Sequence, residues 1–279
     1  GGNGRGTELN KLDYPTGVHV DSAGNVYVAD RQNHRIVKWA PNATQGELVA
    51  GGNGEGNALN QLYNPYGLTV DDSGNVYVAD YNNYRIVKWA PDATEGVIFA
   101  NSTYTFDLEF DSDGNLYSVD YNYNQIKKFS PGSTSGSVIA GDGNRGSGAN
   151  QFYYPSGIGL DGSGNVYVAD KYNNVIRKIA PDGEVSTYAG TANYWSDNED
   201  IDKTDGDKLE RTIRHPRSVK INGIYMYVVE TDAHQISRIN MNTGVLSRYV
   251  GLRNEQGDDN GNETEAKFNH PSDVAFDSA

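Results

Sequence analysis

Residues 15–51 read P-T-G-V-H-V-D-S-A-G-N-V-Y-V-A-D-R-Q-N-H-R-I-V-K-W-A-P-N-A-T-Q-G-E-L-V-A-G. This stretch holds short apolar runs at 18–20, 26–29, 36–39 and 48–50, separated by clusters of Gly, Asn, Asp and Pro. Short apolar runs bounded by turn residues are typical of strands joined by tight turns. The stretch is therefore predicted to be a four-stranded antiparallel meander.

The same pattern returns along the chain. N-V-Y-V-A-D occurs at 25–30, 75–80 and 165–170, and N-L-Y-S-V-D at 115–120. A degraded fifth copy contains I-Y-M-Y-V-V-E, which ends at Glu230, and a sixth opens at Pro271. Because V-Y-V-A is apolar on both of its alternating faces, one repeat cannot cover itself and must pack against its neighbours.

The recurring sequence P-x-G-[apolar]-x-[apolar]-D-x-x-G-N-V-Y-V-A-D-x-x-N-x-R-I spans 15–36 and 65–86, with looser copies after Tyr104, Pro155 and Pro216. This pattern resembles the NHL-repeat β-propellers over essentially the whole chain. The resemblance implies an all-β fold of four-stranded antiparallel blades, most often six in a ring. It does not imply one function, because related propellers serve as protein-binding platforms, sensors, RNA binders and occasionally metal-dependent lyases or lactonases.

The repeats run without a linker, so residues 1–279 are predicted to form a single propeller domain. The approximate repeats are 1–51, 52–100, 101–141, 142–190, 191–251 and a partial 252–279. They predict five complete blades plus the first strand of a sixth, as part of a six-bladed or larger array. Open blade edges would then pair with neighbouring copies of the chain.

The composition argues against several classes of partner. The formal charge of −14 would repel a nucleic acid, and no apolar run approaches the length of about 20 residues that a membrane span needs. The chain has no cysteine, so it has neither disulfides nor thiolate metal sites. The acidic, Asn-, Gly- and Tyr-rich composition favours an extracellular, secreted protein. Sequons at Asn42, Asn101 and Asn262 add little, because about three or four such triplets arise by chance.

Two acidic features are predicted to be structural. The turn D-x-x-G-N recurs from Asp21, Asp71, Asp111 and Asp161. In it, Asp should bind local backbone amides, while Gly and Asn accept positive φ. The acidic segment 197–207 does not match the calcium-loop pattern and is predicted to be a solvated loop.

The histidines do not predict a metal site. His215 and His270 each precede the Pro that opens a repeat, whereas His19 lies five positions deeper, about 16 Å along an extended strand. Three histidines at one depth would be needed for a zinc site. We therefore expect no bound metal and no cofactor, and His215 and His270 are the candidates that a metal-dependent enzyme would use.

The loops between second and third strands carry the candidate binding residues, namely Tyr81, Tyr84, Tyr121, Tyr123 and Tyr172, with His34 in the corresponding loop of the first repeat. These side chains either form a binding face or cover blade edges, and both interpretations remain open. The tyrosines inside strands (Tyr27, Tyr77, Tyr117, Tyr167 and Tyr227) are predicted to pack between blades.

The sequence favours a non-catalytic binding or scaffold protein that recognises a protein or glycan through its tyrosine-rich loops. The alternative is a metal-dependent lyase or lactonase, as found in related propeller families.

Overall fold

The computed structural model describes residues 4–101, 103–191, 205–263 and 265–277. Over these residues the fold contains five antiparallel sheets, here called blades 1 to 5, each with four consecutive strands. Blades 1 to 3 contain β1 (Pro15–Val20), β2 (Val26–Asp30), β3 (Arg35–Trp39), β4 (Glu47–Gly51), β5 (Pro65–Val70), β6 (Val76–Asp80), β7 (Arg85–Trp89), β8 (Val97–Asn101), β9 (Thr105–Phe110), β10 (Leu116–Asp120), β11 (Gln125–Phe129) and β12 (Ser137–Ala140).

Blade 4 contains β13 (Pro155–Leu160), β14 (Val166–Asp170), β15 (Val175–Ile179) and β16 (Val185–Ala189), and blade 5 contains β18 (Pro216–Asn222), β19 (Tyr225–Glu230), β20 (Gln235–Asn240) and β21 (Val245–Val250), with β17 (Asp205–Asp207) added at its edge. Single turns of 3₁₀ helix follow the second strand at Arg31–Asn33, Tyr81–Asn83, Lys171–Asn173 and Thr231–Ala233. The predicted all-β fold of four-stranded antiparallel blades is confirmed. No helix in the described residues has the length and apolarity to cross a membrane.

The described parts of the acidic segment and of the sixth repeat differ from their predicted structures. Residues 197–204 of the acidic segment lie outside the described residues, but Asp205–Asp207 are not loop: they pair with β21 as a fifth strand. Residues 271–277, predicted as the first strand of a sixth blade, are described but are not hydrogen-bonded into a sheet. An extended segment becomes a strand only beside a hydrogen-bonded neighbour.

The chain divides into two compact units. The first holds the described parts of 1–120, 128–137 and 275–279, and the second holds 121–127 and 138–274. Each unit has its own apolar core, built around Tyr27, Val78 and Trp89 in the first and around Tyr167, Met226 and Ile239 in the second. The strand tyrosines are buried as predicted: Tyr27 is 5% exposed, Tyr77 7%, Tyr117 5%, Tyr167 2% and Tyr227 8%.

The P-x-G sequence forms a bulge where first strands approach one another. Pro15 pairs with Asp30 and Val18 with Val28, so the first strand holds one extra residue between these pairs. A Cβ added at Gly17 would lie 2.5 Å from the Tyr66 carbonyl oxygen, and one at Gly157 would lie 2.5 Å from that of Arg217. Glycine is therefore required because the backbone of the next first strand occupies the space of a side chain.

A carboxylate at the end of every second strand is fully buried. Asp30, Asp80, Asp120, Asp170 and Glu230 are all 0% exposed. In blade 1, Asp30 accepts hydrogen bonds from the Asp13 backbone N–H at 2.7 Å, from Asn33 Nδ2 at 2.8 Å and from Arg35 Nε at 2.7 Å. The guanidinium of Arg35 also donates hydrogen bonds to the carbonyl oxygens of Thr7, Glu8 and Lys11.

Blade 2 repeats this network. Asp80 accepts from the Tyr63 N–H, Asn83 and Arg85, and Arg85 donates to the carbonyls of Asn57, Ala58 and Gln61. The D-x-x-N-x-R part of the repeat thus ties the connection that precedes each blade to the end of its second strand. Burial raises the pKa of Asp80, and these hydrogen bonds oppose the rise.

Blade 4 keeps the buried aspartate–arginine ion pair, but its arginine lies two positions further along the third strand. Val175 stands where blades 1 and 2 have arginine, and Arg177, two residues on, binds Asp170 Oδ2 at 3.1 Å. Burial raises the pKa of Asp170 to about 6. Hydrogen bonds from Asn173, the Tyr153 N–H and Arg177 act in the opposite direction and limit this rise. The move is possible because strand positions two apart lie on the same face of the sheet.

We predict that Arg177→Val destabilises the protein by about 3–5 kcal/mol, because it leaves Asp170 buried without its cation. The double variant Val175→Arg/Arg177→Val restores the R-I-V-K of blades 1 and 2 and should recover most of the loss. Urea unfolding measures both changes. A double variant that is no more stable than Arg177→Val would contradict the proposed equivalence of the two positions.

The D-x-x-G-N turns are held by their aspartates. Asp161 Oδ1 accepts from the backbone N–H groups of Ser163 and Asn165, and Asp161 Oδ2 accepts from Asn165 Nδ2 at 2.8 Å and from the Tyr167 hydroxyl at 3.1 Å. Gly164 has φ 79°, as predicted, but Asn165 does not adopt positive φ. Asn is required here for its amide, which donates to the carboxylate.

These hydrogen bonds alter the acidity of the turn aspartates. Burial by itself would raise the pKa of Asp21, Asp111 and Asp161, but hydrogen bonds from the Asn side chain and nearby N–H groups outweigh it and lower all three. Stability that comes from a lowered carboxyl pKa is present above the unfolded value of about 3.9 and is lost as the pH falls through the folded value.

Asn165→Ala should therefore raise the pKa of Asp161 and cost about 1–2 kcal/mol at pH 7, with a smaller cost in acid. Carbon-13 NMR titration of the carboxyl groups and urea unfolding at several pH values measure these effects. Ser163→Ala is the matched control, since its backbone N–H still donates to Asp161. An equal cost at pH 7 and pH 2.5 would show that the amide acts through packing instead.

Candidate functional site

The loops after the second strands place the candidate tyrosines. In blade 2 the 3₁₀ turn Tyr81–Asn83 follows β6 directly, and Tyr84 adopts left-handed φ of 56° before β7 begins. Blade 4 has the same geometry, with the turn Lys171–Asn173. Asn83 and Asn173 donate to the buried aspartates Asp80 and Asp170, so the rigid network of each blade orients its loop.

In the first unit, Tyr81 and Tyr84 belong to a group of five rings that we call the Tyr81 cluster (Tyr66, Tyr81, Tyr84, Tyr104 and Phe106). The ring centroid of Tyr81 lies 4.9 Å from that of Tyr66 and 5.6 Å from that of Phe106. Tyr84 lies 4.5 Å from Tyr104. The cluster joins first-strand residues of blades 2 and 3 to the loop of blade 2.

In the second unit, Tyr121 and Tyr172 belong to the Tyr172 cluster (Tyr121, Tyr153, Tyr154, Tyr172 and His215). Tyr121 stacks on Tyr154 at 4.6 Å, and Tyr172 lies 5.5 Å from Tyr154 and 5.1 Å from His215. The Arg145 guanidinium lies 4.2 Å from the centre of the Tyr154 ring. Edge-to-face and offset contacts of this kind favour a fixed arrangement of rings.

Exposure separates the five tyrosines into two groups. Tyr84 is 48% exposed and Tyr123 is 49% exposed, whereas Tyr81, Tyr121 and Tyr172 are half-buried within their clusters. The half-buried rings pack against the other rings of their clusters. Tyr84 in the first unit and Tyr123 in the second each present an exposed ring to solvent.

His34, the remaining binding candidate, has a structural contact. It occupies the left-handed position after the blade 1 turn, with φ 52°, and its Nδ1 accepts a hydrogen bond from the Asn64 backbone N–H at 3.1 Å. Nδ1 must be unprotonated to accept, so the ring proton of the neutral form lies on Nε2. Nε2 is 3.8 Å from Glu55 Oε2.

The equivalent residues of other blades make the same contact, which the sequence analysis missed. Asn124 Oδ1 accepts from the Tyr154 N–H, Asn174 Oδ1 from the His215 N–H, and His234 Nδ1 from the His270 N–H. Each accepting residue has positive φ, and each bonded N–H belongs to the residue before a Pro. The recurrence of Asn or His at this position of the repeat is the sequence feature that could have indicated this hydrogen bond.

His215 and His270 both lie near Asp232 in the second unit. His215 Nδ1 forms a short contact with Asp232 Oδ2, and the His270 ring lies 4.5 Å from that of His234. The hydrogen bond with His215 lowers the pKa of Asp232; burial opposes this, and the charges of His215, Lys171 and His270 add to the lowering. The side chains of His215 and Asp232 thus form an acid–base pair beside Tyr172.

Metal ligands do not converge within the part of the chain that the structure describes: no group of three or more His, Asp or Glu side chains could hold an ion there. Two clefts of about 680 and 700 Å³ in the first unit are lined by turn and strand residues and by none of the candidate tyrosines. Asp21 lines both clefts, but Asn25 and local N–H groups already bind its carboxylate.

We predict that Tyr81→Ala costs about 2–3 kcal/mol of unfolding free energy, because Tyr81 is half-buried among several rings. Tyr84→Ala, in the same loop, should cost about 1 kcal/mol or less, since about half of this ring faces solvent. Thermal and urea unfolding give both values. Equal losses for the two variants would mean that Tyr84 is also a structural residue.

Comparison with known proteins supports the repeat assignment. The NHL repeat pattern matches residues 12–39, 62–89 and 152–179, which cover the first three strands of blades 1, 2 and 4. No curated protein matches the sequence of the chain.

Several solved structures share the fold at low identity. A Bacteroides thetaiotaomicron protein of unknown function is similar with a TM-score of 0.74 and 18% identity over 95% of this chain, which spans 65% of that protein. The Nidogen/Laminin complex gives a TM-score of 0.65 at 14% identity, covering 93% of this chain and 86% of the other. Virginiamycin B lyase from Staphylococcus aureus gives 0.52 at 16% identity, covering 87% and 86%.

Identities this low establish the fold and leave function to the sites of this chain. The matched repeats carry the D-x-x-G-N turns and the buried Asp–Asn–Arg networks described above, so three blades of this chain are built on NHL repeats, which supports an NHL-repeat β-propeller.

Proposed function

We propose that the protein is a non-catalytic binding module that recognises a protein or glycan through the exposed rings of its second-to-third-strand loops. The observation that carries this proposal is the exposure of Tyr84 and Tyr123, at 48% and 49%. In blade 2, Asn83 and Arg85 bind the buried Asp80 on either side of Tyr84, so this ring offers contact area with little loss of conformational entropy. The half-buried Asn82 and Asn122 of the same loops carry amides of the kind that sugars and extended peptides bind.

Two further elements belong to the same proposal. An extracellular location suits the acidic, cysteine-free chain. Neighbouring copies of the chain are possible additional partners through open sheet edges, because an unpaired edge offers backbone groups to another strand. One chain of the Nidogen/Laminin complex has a similar fold, which supports a binding role by analogy.

The test is capture on arrays of glycans and secreted proteins. Tyr84→Ala/Tyr123→Ala should reduce capture at least tenfold while the melting temperature stays within about 2 °C. Val97→Ala is the matched control, because Val97 is an exposed apolar residue (69%) that lies in β8, outside these loops. Unchanged capture by the Tyr84→Ala/Tyr123→Ala variant would show that these rings do not bind the ligand. An equal loss of capture in Val97→Ala would lead to the same conclusion.

A metal-dependent lyase or lactonase is the second candidate, and the His215–Asp232 pair beside Tyr172 is the observation that favours it. Virginiamycin B lyase shares the fold. Turnover of a lactone and ester panel with added divalent ions, abolished by His215→Gln, would support this candidate. Turnover unaffected by His215→Gln would exclude His215 from any such reaction.

A further inference from the structure

An aromatic ring on the fourth strand packs beside the strand tyrosine in three blades. In blade 2 the ring centroid of Phe99 lies 5.2 Å from that of Tyr77, and the two rings meet edge to face. The Phe99 ring also lies 5.4 Å from that of Phe129, the last residue of the third strand in blade 3. The corresponding pairs in blades 4 and 5 are Tyr167 with Tyr188, at 4.8 Å, and Tyr227 with Tyr249, at 5.1 Å. The space on this side of a strand tyrosine therefore accommodates a ring.

Blade 1 has a valine where these three blades have a ring. Val49 occupies the irregular step in the pairing of β3 with β4, as Phe99 does in the pairing of β7 with β8, and both residues are half-buried. Val49 lines the cleft of about 680 Å³ in the first unit, together with Tyr27 and Trp89, the counterparts of the other two rings. Because valine is smaller than phenylalanine, blade 1 leaves unfilled part of the space that a ring takes in blade 2.

The apolar lining of this cleft extends beyond Val49. Leu48, which precedes Val49 on β4, also lines the cleft and is 43% exposed. Ala90 and Pro91, which follow Trp89 in blade 2, are lining residues as well. The volume of the cleft lies within the range of about 300–1,000 Å³ that is typical of small-molecule sites.

The charged groups of the cleft disfavour an anion. Asp21 Oδ2 accepts a hydrogen bond from Asn25 Nδ2 at 2.8 Å, and Lys38 Nζ lies 3.9 Å from Glu47 Oε2. Asp92 is a third lining carboxylate, so the carboxylates outnumber the one lysine among the lining residues. A bound anion would be repelled by this surplus of negative charge, whereas an uncharged ring would not.

We propose that this cleft binds a small, uncharged aromatic compound, whose ring lies beside Val49 in the place that the Phe99 ring takes in blade 2. The rings of the other blades show which shape this position of the repeat accommodates. Edge-to-face contact with neighbouring rings stabilises an aromatic ligand more than an aliphatic one of similar size. The site is separate from Tyr84 and Tyr123, so it adds a second ligand to the proposed binding function.

The test compares benzamide with cyclohexanecarboxamide and with benzoate. The first two carry the same amide on an aromatic or an aliphatic ring, and the third carries a charge on the aromatic ring. We expect benzamide to bind about three- to tenfold more tightly than cyclohexanecarboxamide, and benzoate to bind more weakly than benzamide. Binding is followed by NMR titration of the nitrogen-15-labelled protein. The reporter is the indole N–H signal of Trp89, one of three tryptophans, which a Trp89→Phe variant identifies.

Val49→Phe tests the position of the ligand, because it gives blade 1 the ring that blade 2 already has. It should weaken benzamide binding at least tenfold and leave the unfolding temperature unchanged or raised, since it fills a cleft. Val49→Leu adds less volume and should weaken binding by a smaller factor. Val97→Phe is the matched control: it introduces the same ring at an exposed position of β8 that does not line the cleft, and it should bind benzamide like the unmodified protein.

Three results would overturn the site: no binding of benzamide, equal affinity for benzamide and cyclohexanecarboxamide, or full affinity for benzamide in both Val49 variants. Capture on the glycan and protein arrays tests the proposed function independently. Val49→Phe should leave that capture unchanged, and the Tyr84→Ala/Tyr123→Ala variant should bind benzamide like the unmodified protein.

Discussion

The buried pair formed by a carboxylate at the end of the second strand and an arginine of the third is the interaction on which blades 1, 2 and 4 depend. A charge with no exposure to water is tolerated only when its hydrogen bonds are complete and a cation is close. Asp30 and Asp80 meet this condition with an amide, a backbone N–H and an arginine. Because the arginine also binds carbonyls of the preceding connection, strand, loop and connection form one network.

That network explains how the loops can vary without loss of the fold. The side-chain amides of Asn83 and Asn173 donate hydrogen bonds to the buried carboxylates of Asp80 and Asp170, and these bonds hold the turns in place. The first position of the turn can therefore be Tyr81 in one blade and Lys171 in another. The scaffold repeats while the surface side chains differ. The aromatic Tyr81 cluster and the partly cationic Tyr172 cluster are products of the same backbone geometry.

The residues with left-handed φ add a second link between repeats. His34, Asn124, Asn174 and His234 each accept a hydrogen bond from the N–H before the next first strand. Tyr84 has the same backbone conformation but instead places its ring 4.5 Å from Tyr104. The side chain at this position can therefore serve either the fold or the surface, which makes Tyr84 a suitable site for recognition.

The sequence by itself determined the blades, because period-2 apolar runs between Gly, Asn and Asp turns encode strands locally and recur at a readable interval. It also identified the loops that carry Tyr81 and Tyr172. Only the tertiary structure decided which of the loop tyrosines are exposed and that His34 is a hydrogen-bond acceptor within the fold. Those facts depend on contacts between residues distant in sequence, such as Asn64 with His34, 30 positions apart, and Pro216 with Ser156, 60 positions apart, which no local pattern records.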